Sequence, residues 1–378
     1  MMSIPEVSPK QALDRQRHGA VLIDVRETHE RALGMAEGAR GIAMGALISS
    51  AAEHLSDSAV EVLLICQSGM RSLRTAEALS AQGYANVMSI AGGTERWAAE
   101  SLPLVKPVSD IDADFAERYS RHLRLPQVGV EGQRKLEAAC VLLVGAGGLG
   151  SPAAYYLAAA GVGTLRIADD DVVDRSNLQR QILHTEARIG IPKVESAALA
   201  LSALNPRTRI DAIAERVSGD NVERLLDGVD LVVDGADNFP ARYLLNDACV
   251  KLGKSLVYGA VHRFEGQVSV FDAGRHRGVA PCYRCLFPEP PPPDTAPNCA
   301  EAGVLGVLPG VIGLLQATEA IKLILGIGLP LSGRLLHFDA LSMRFRETKL
   351  PMDPQCVVCA PGAEFAGYID YGRFCGLD

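Results

Sequence analysis

The chain has 378 residues, 48% hydrophobic and 22% charged, with a net charge of −8. At about 100–200 residues per domain, two or three domains are expected, and the composition excludes global disorder or a collagen-like repeat. The acidic balance, with no Lys/Arg-rich run, argues against binding nucleic acid.

The opening MMSIPEVSPK lacks a basic flank followed by an apolar core, so no secretory leader and a cytoplasmic location are expected. Residues 20–25 (AVLIDV) read as a short buried strand, and 60–65 (VEVLLI) as another ending at Cys66. Leu73, Ala76 and Leu79 have helical spacing, which predicts a helix over 72–82 stopped by Gly83. Residues 87–90 form a third strand before the turn Gly92-Gly93. Strands alternating with helices predict a parallel sheet. Residues 102–112 (LPLVKPVSDID) hold two prolines and no clear period. The expected organisation is a first domain over 1–105, a linker over 106–112 and a second domain over 113–378.

The pattern then restarts, with a strand over 140–145, a helix over 151–160 and a strand over 164–168. Residues 138–165 carry no charge and are long enough to span a bilayer, but Gly145, Gly147, Gly148, Gly150, Pro152, Gly161 and Gly163 interrupt them. A buried strand, a glycine turn and a buried helix fit better. Residues 231–234 and 256–258 read as further buried strands, and 267–271 alternates like an antiparallel strand. Residues 288–297 (PEPPPPDTAP) predict an extended loop. The stretch 303–331, interrupted by Pro309, Glu319 and Lys322, reads as core, so no membrane association is expected.

Cys66-Gln67-Ser68-Gly69-Met70-Arg71-Ser72 follows a strand and opens a helix. Such a loop turns backbone N–H groups and the positive end of the helix dipole inward, and Arg71 adds a full charge. Together they favour a thiolate or persulfide at Cys66. A lone cysteine is as readily a core residue; the whole run points to a reactive one.

Gly145-Ala146-Gly147-Gly148-Leu149-Gly150 fits G-x-G-x-x-G between a strand and a helix, and Asp169 follows at the interval of a ribose-binding acid. By itself this pattern describes a nicotinamide-dependent oxidoreductase. The polar series that follows departs from it: Ser176-Asn177-Leu178-Gln179-Arg180-Gln181, then Lys193, then Asp237-Asn238. Several cations and a carboxylate beside a phosphate loop suit nucleotidyl transfer, where charge on a triphosphate must be offset. Any one of them alone would read as a solvated surface charge.

There are nine cysteines, an odd count that argues against a disulfide framework. Cys282-x-x-Cys285 and Cys356-x-x-Cys359 supply four thiolates suited to a closed, structural Zn2+ site. A redox-active pair is the alternative. Cys140 and Cys249 lie in apolar runs and read as core, and Cys375 carries no reading.

Residues 1–105 resemble a single rhodanese domain through Ile23-Asp24-Val25-Arg26-Glu27, the C-x-S-G-x-R-S loop and Gly92-Gly93-Thr94-Glu95-Arg96-Trp97. The resemblance implies a persulfide on Cys66, with Asp24 and Arg26 supporting the fold and Trp97 in the core. Residues 113–360 resemble the ThiF/MoeB/E1-like adenylating superfamily. The match runs from Arg118-Tyr119-Ser120-Arg121 through the glycine loop, the polar series, Pro192-Lys193-Val194-Glu195-Ser196, Glu265-Gly266-Gln267 and Pro281-Cys282-Tyr283-Arg284-Cys285 to Glu301-Ala302-Gly303-Val304.

The fold so implied is α/β, a small rhodanese-like domain followed by a Rossmann-like E1/ThiF-type domain with structural zinc. The implied site roles are ribose at Asp169, phosphates at Arg180 and Lys193 with help from Asn177, and Mg2+ at Asp237. Arg121 would be an arginine finger supplied from the second subunit of a homodimer. Cys299 stands where the superfamily has a thiol able to attack the acyl intermediate. The implied activity is ATP-dependent adenylation of the Gly-Gly carboxylate of a ubiquitin-like sulfur carrier, MoaD-like or ThiS-like, followed by sulfur transfer. The sulfur would come from thiosulfate or a cysteine desulfurase. In the familiar two-domain members the rhodanese module follows the adenylating domain; here it precedes it. A non-catalytic scaffold would be expected to lack at least one of Cys66, Arg121, Lys193 and Asp237, and all are present.

Overall fold

The computed structural model describes residues 4–55, 57–107, 111–290 and 303–368. Cys299, Cys375, the middle of the expected linker and most of the proline-rich run lie outside the described residues. The chain forms two compact units, 1–130 and 131–378.

In the first unit, strands β1 (Glu6–Val7), β2 (Val21–Asp24), β4 (Arg40–Gly41), β5 (Val62–Ile65) and β6 (Val87–Ile90) make a sheet of order β1-β6-β5-β2-β4, and every pairing is parallel. A separate antiparallel pair joins β3 (Met35–Ala36) to β7 (Leu104–Val105). All four residues of β5 are buried, as expected of a parallel strand covered on both faces. The helix expected over 72–82 spans Met70–Ala81. It starts earlier because Gly69, at φ +100°, turns the chain directly from the loop into the helix. Trp97 is fully buried and donates its indole N–H to Pro103 O at 3.0 Å. Arg26 and Asp24 form a buried ion pair at 2.7 Å, in keeping with a supporting role. Residues 111–123 also belong to this unit: Phe115, Tyr119 and Leu123 pack with Ala32 and Ile111.

The second unit is built on one sheet of order β10-β9-β8-β11-β12-β13-β14-β15. Strands β8 (Cys140–Val144), β9 (Thr164–Ala168), β10 (Arg209–Ile213), β11 (Leu231–Asp234) and β12 (Ser255–His262) run parallel. Strands β13 (Glu265–Phe271), β14 (Arg334–Asp339) and β15 (Arg344–Lys349) add an antiparallel meander. The strand expected over 256–258 extends to His262 because its far half pairs with β13. The apolar helix Leu308–Leu325 is long enough to cross a membrane, yet Leu308 and Ile312 are buried against Val268, Val270 and Phe338 of the sheet. Glycines admit that close approach. A Cβ on Gly259 would stand 2.4 Å from Gln316 Cδ, and one on Gly266 2.4 Å from Ile312 Cδ1. Cys249 is buried as expected, and burial pushes its thiol up; Cys140 is only half-buried, at the start of β8.

Candidate functional site

Cys66 follows β5 and is 1% exposed. Its Sγ accepts the Gly69 N–H at 3.2 Å and the Ser72 hydroxyl at 3.4 Å. The loop is clamped from behind, where Thr94 N–H donates to Cys66 O at 2.8 Å and Glu95 N–H to Gln67 O at 3.1 Å. Only glycine fits at position 93, because a Cβ there would lie 2.1 Å from Cys66 O. The loop therefore aims one N–H and one O–H donor at this sulfur. Arg71 does not act alone: its two guanidinium NH2 groups bind the two Glu30 carboxylate oxygens at 2.7 Å each. Glu30 lies 41 residues earlier, and no local pattern in the sequence marks it as the partner of Arg71.

The second constellation gathers at the carboxyl ends of β8, β9 and β11. Gly145 has φ +92°, and a Cβ there would meet Gly235 O at 2.6 Å. At Gly150 a Cβ would lie 1.9 Å from Gly145 O, so the helix Gly150–Ala160 can start against the loop only with glycine. A Cβ on Gly147 would stand 3.6 Å from Gln181 Nε2, and one on Gly148 3.1 Å from Pro309 Cβ and 3.6 Å from Arg180 Cγ. Asp169 Oδ2 accepts the Ala146 N–H at 2.7 Å, and Oδ1 accepts the Asp171 N–H at 2.8 Å. Burial pushes the Asp169 carboxyl up, against the opposing pull of Lys193.

Lys193 opens the helix Lys193–Leu204, is 4% exposed, and places Nζ 2.7 Å from Asp171 Oδ2. Arg180 donates to Asn177 Oδ1 at 2.7 Å, and Ser176 Oγ to Asp174 Oδ1 at 2.5 Å. Leu178 is half-buried and Gln179 exposed; the Gln179 carbonyl lies against Gly306. Asp237 is exposed just beyond β11. Asn238 caps the helix Phe239–Leu252, its Oδ1 accepting the Ala241 N–H at 3.0 Å, while its Nδ2 donates to Asp237 Oδ1 at 3.3 Å. Arg121 is exposed on the short helix Ser120–Leu123 of the first unit.

Two buried groups escaped the sequence analysis. His184 Nε2 lies 2.9 Å from Ala146 O, and Nδ1 lies 2.9 Å from Ser196 Oγ. Burial holds this imidazole below its usual pKa, so it is neutral. Nε2–H then donates to the carbonyl and Nδ1 accepts from the serine, tying the glycine loop to the helix that carries Lys193. Asp234, fully buried at the end of β11, is pushed up to about 6 by burial, with Arg242 opposing at 3.6 Å. Neither residue falls in a periodic pattern, and each acts through partners distant in sequence.

The four paired cysteines converge. Cys282 Sγ lies 3.5 Å from Cys356 Sγ and Cys285 Sγ 3.4 Å from Cys359 Sγ, with all four sulfurs within 4.8 Å of one another. Thiolates about 2.3 Å from a tetrahedral Zn2+ would stand about 3.8 Å apart. The donor set and spacing fit zinc, and Asp353 N–H donates to Cys285 Sγ at 3.4 Å, as an outer-shell amide would.

Fold and sites define a class. Residues 119–358 match the ThiF family model and residues 8–100 the Rhodanese-like domain model, so the chain belongs to the ThiF family and carries a rhodanese-like domain ahead of it. Among its relatives, the Sulfur carrier protein adenylyltransferase of Thermus thermophilus is 52% identical over 262 residues, 69% of this chain and 97% of that protein. The SAMP-activating enzyme E1 of Haloferax volcanii is 50% identical over 268 residues, 71% of this chain and 97% of that protein. The Probable adenylyltransferase/sulfurtransferase MoeZ of Mycobacterium tuberculosis is 48% identical over 275 residues, 73% of this chain and 69% of that protein. The crystal structure of E. coli MccB shares the fold, with a TM-score of 0.58 at 21% identity over 69% of this chain and 76% of that one.

Proposed function

We propose that this chain adenylates the C-terminal Gly-Gly carboxylate of a ubiquitin-like sulfur carrier and then transfers sulfur to it, giving a thiocarboxylate. The observation that carries this reading is the presence in one chain of a ThiF-family nucleotide crevice and a donor-lined Cys66 loop. The glycine loop alone also suited a nicotinamide-dependent oxidoreductase; family membership favours adenylation.

In the first half-reaction the carrier carboxylate attacks the α-phosphate of ATP and pyrophosphate leaves. The Gly147 region approaches the phosphates, Asp169 takes the ribose, and Ser176, Asn177, Leu178 and Gln179 line the crevice beside them. Arg180 and Lys193 offset charge developing on the triphosphate. Lys193 must exchange its Asp171 partner for phosphate, a step its position at a helix N-terminus favours. Asp237, with Asn238 beside it, would hold Mg2+, which supplies further charge neutralisation. Arg121 contributes from the second protomer of a homodimer.

In the second half-reaction the outer sulfur of a Cys66 persulfide attacks the acyl carbon and AMP leaves. A thiol, Cys299 or an external one, then attacks the Cys66 sulfur of the acyl disulfide. The S–S bond breaks and the carrier leaves as thiocarboxylate. Fusion of the modules raises the local persulfide concentration. Cys282, Cys285, Cys356 and Cys359 hold structural zinc.

A MoaD-like carrier is favoured, a ThiS-like carrier is the alternative, and the setting is the cytoplasm. A second reading has the chain adenylate only, with sulfur supplied by another protein. The test is the intact mass of a Gly-Gly-ended carrier after incubation with the protein, MgATP and thiosulfate. Replacement of one carrier oxygen by sulfur is expected. AMP formation without that change would leave adenylation alone standing.

A further inference from the structure

Family match and packing divide this chain at different places. The ThiF match begins at residue 119, yet the first compact unit runs to residue 130. Residues 119–130, Arg121 among them, belong to the adenylating match and pack with the rhodanese-like unit.

That packing has a specific cause. Phe115 is fully buried, and Tyr119 and Leu123 nearly so, in one cluster with Ala32. The Phe115 and Tyr119 rings meet edge to face, 5.3 Å between centroids. Ala32 directly follows the short helix Thr28–Arg31, and the helix Ser120–Leu123 packs beside that helix. Arg121 stands two residues from both Tyr119 and Leu123, about 200° around a helix, so burying those two turns Arg121 outward. It is exposed. The helix Thr28–Arg31 also carries Glu30, which grips Arg71 at the mouth of the Cys66 loop. One element thus holds both the loop and the segment that bears Arg121. Gln67, Ser68 and Arg71 of the loop line a cavity of about 820 Å3 together with Leu123, Arg124 and Leu125 of the segment. Loop and segment therefore lie on the same side of the unit.

We infer that residues 111–130 and the rhodanese-like unit act as one body, so that the crevice receiving Arg121 also receives sulfur from Cys66 of the same chain. This rests on the reading of Arg121 as acting in the second protomer and of Cys66 as the persulfide carrier. Cys66 then serves the crevice of the second protomer, not that of its own chain. The chemistry asks for such pairing. An arginine finger acts on charge at the α-phosphate, and the acyl carbon that the persulfide attacks is joined to that phosphorus through a single oxygen. In the transfer step a C–S bond forms at the acyl carbon, its C–O bond to the phosphate breaks, and AMP leaves with the electron pair. A shared body brings both groups to one adenylate without a change of crevice between the half-reactions.

The test uses dimers of two differently tagged chains, co-expressed and purified through both tags. In the first, one chain carries Cys66→Ala and the other Asp237→Ala, so the intact crevice and the intact Cys66 lie on different chains. With carrier, MgATP, thiosulfate and a thiol, it is expected to form thiocarboxylate at about half the wild-type rate, because one of its two crevices is complete. In the second, Arg121→Ala is paired with Asp237→Ala, and pyrophosphate exchange is expected to return to about half of wild type for the same reason. Exchange restored in the second dimer without thiocarboxylate from the first overturns the shared body while the Arg121 reading stands. Exchange not restored, or no dimer carrying both tags, overturns the Arg121 reading and the inference with it. Equal thiocarboxylate from the two single-variant homodimers, mixed just before assay, overturns the inference, since sulfur would then pass between separate dimers. Wild-type protein that forms no thiocarboxylate overturns the Cys66 reading and the inference that rests on it.

Discussion

Arg71 and Glu30 meet in a two-pronged ion pair, each guanidinium NH2 group 2.7 Å from a different carboxylate oxygen. The pair fastens the first turn of the helix Met70–Ala81 to the short helix Thr28–Arg31 and so fixes one wall of the Cys66 loop. Burial pushes the Glu30 carboxyl up, but Arg71 and the Glu27 N–H outweigh it and hold the group below its usual pKa. A depressed carboxyl contributes stability that is complete above the unfolded value, about 4.3, and is lost as pH falls through the lower folded value. Glu30→Gln is therefore expected to cost about 1–3 kcal/mol at pH 7, and the difference from wild type should shrink below about pH 4. Denaturant unfolding at both pH values checks this. A gap that does not change with pH would remove the pair as its source.

Adenylation should depend on groups at the ends of β9 and β11. Asp237→Ala is expected to lower carrier-dependent pyrophosphate exchange by about 100-fold or more, as loss of a group acting on transition-state charge does. Lys193→Ala should fall in the same range. Retained exchange in Asp237→Ala would overturn the Mg2+ assignment.

Sulfur delivery should separate from adenylation. Cys66→Ala keeps pyrophosphate exchange and forms no thiocarboxylate, read by the intact mass of the carrier. Thiocarboxylate formed by this variant would mean the sulfur arrives from elsewhere.

The four converging cysteines predict about one zinc per chain by elemental analysis. Cys356→Ser should lower the zinc content and reduce Tm by about 5 °C or more, since metal binding contributes folding free energy. Full zinc content in that variant would show that Cys356 is not a ligand.

Much of this molecule is legible without its structure where the signal is local. Residues 87–90, 164–168 and 231–234 are strands within the bounds their apolar runs mark, because buried parallel strands are continuously hydrophobic. β15 gave no such signal: all six residues are exposed, and pairing with β14 alone holds it in the sheet. β10 is similarly half-exposed. The glycine loop, the Cys66 loop and the two C-x-x-C pairs are readable because each needs a fixed spacing over a few residues.

By itself, then, the sequence determined the order of the two modules, the parallel strands, and the short runs where glycine, cysteine and charge are concentrated. Tertiary structure alone decided which side chains answer one another across long separations. It brought Glu30 to Arg71, His184 to the carbonyl of Ala146, and Asp171 to Lys193. The physical reason is one of range. Backbone turns and strand burial are set by neighbouring residues, whereas the partner of a polar side chain is chosen by whichever element packs against it.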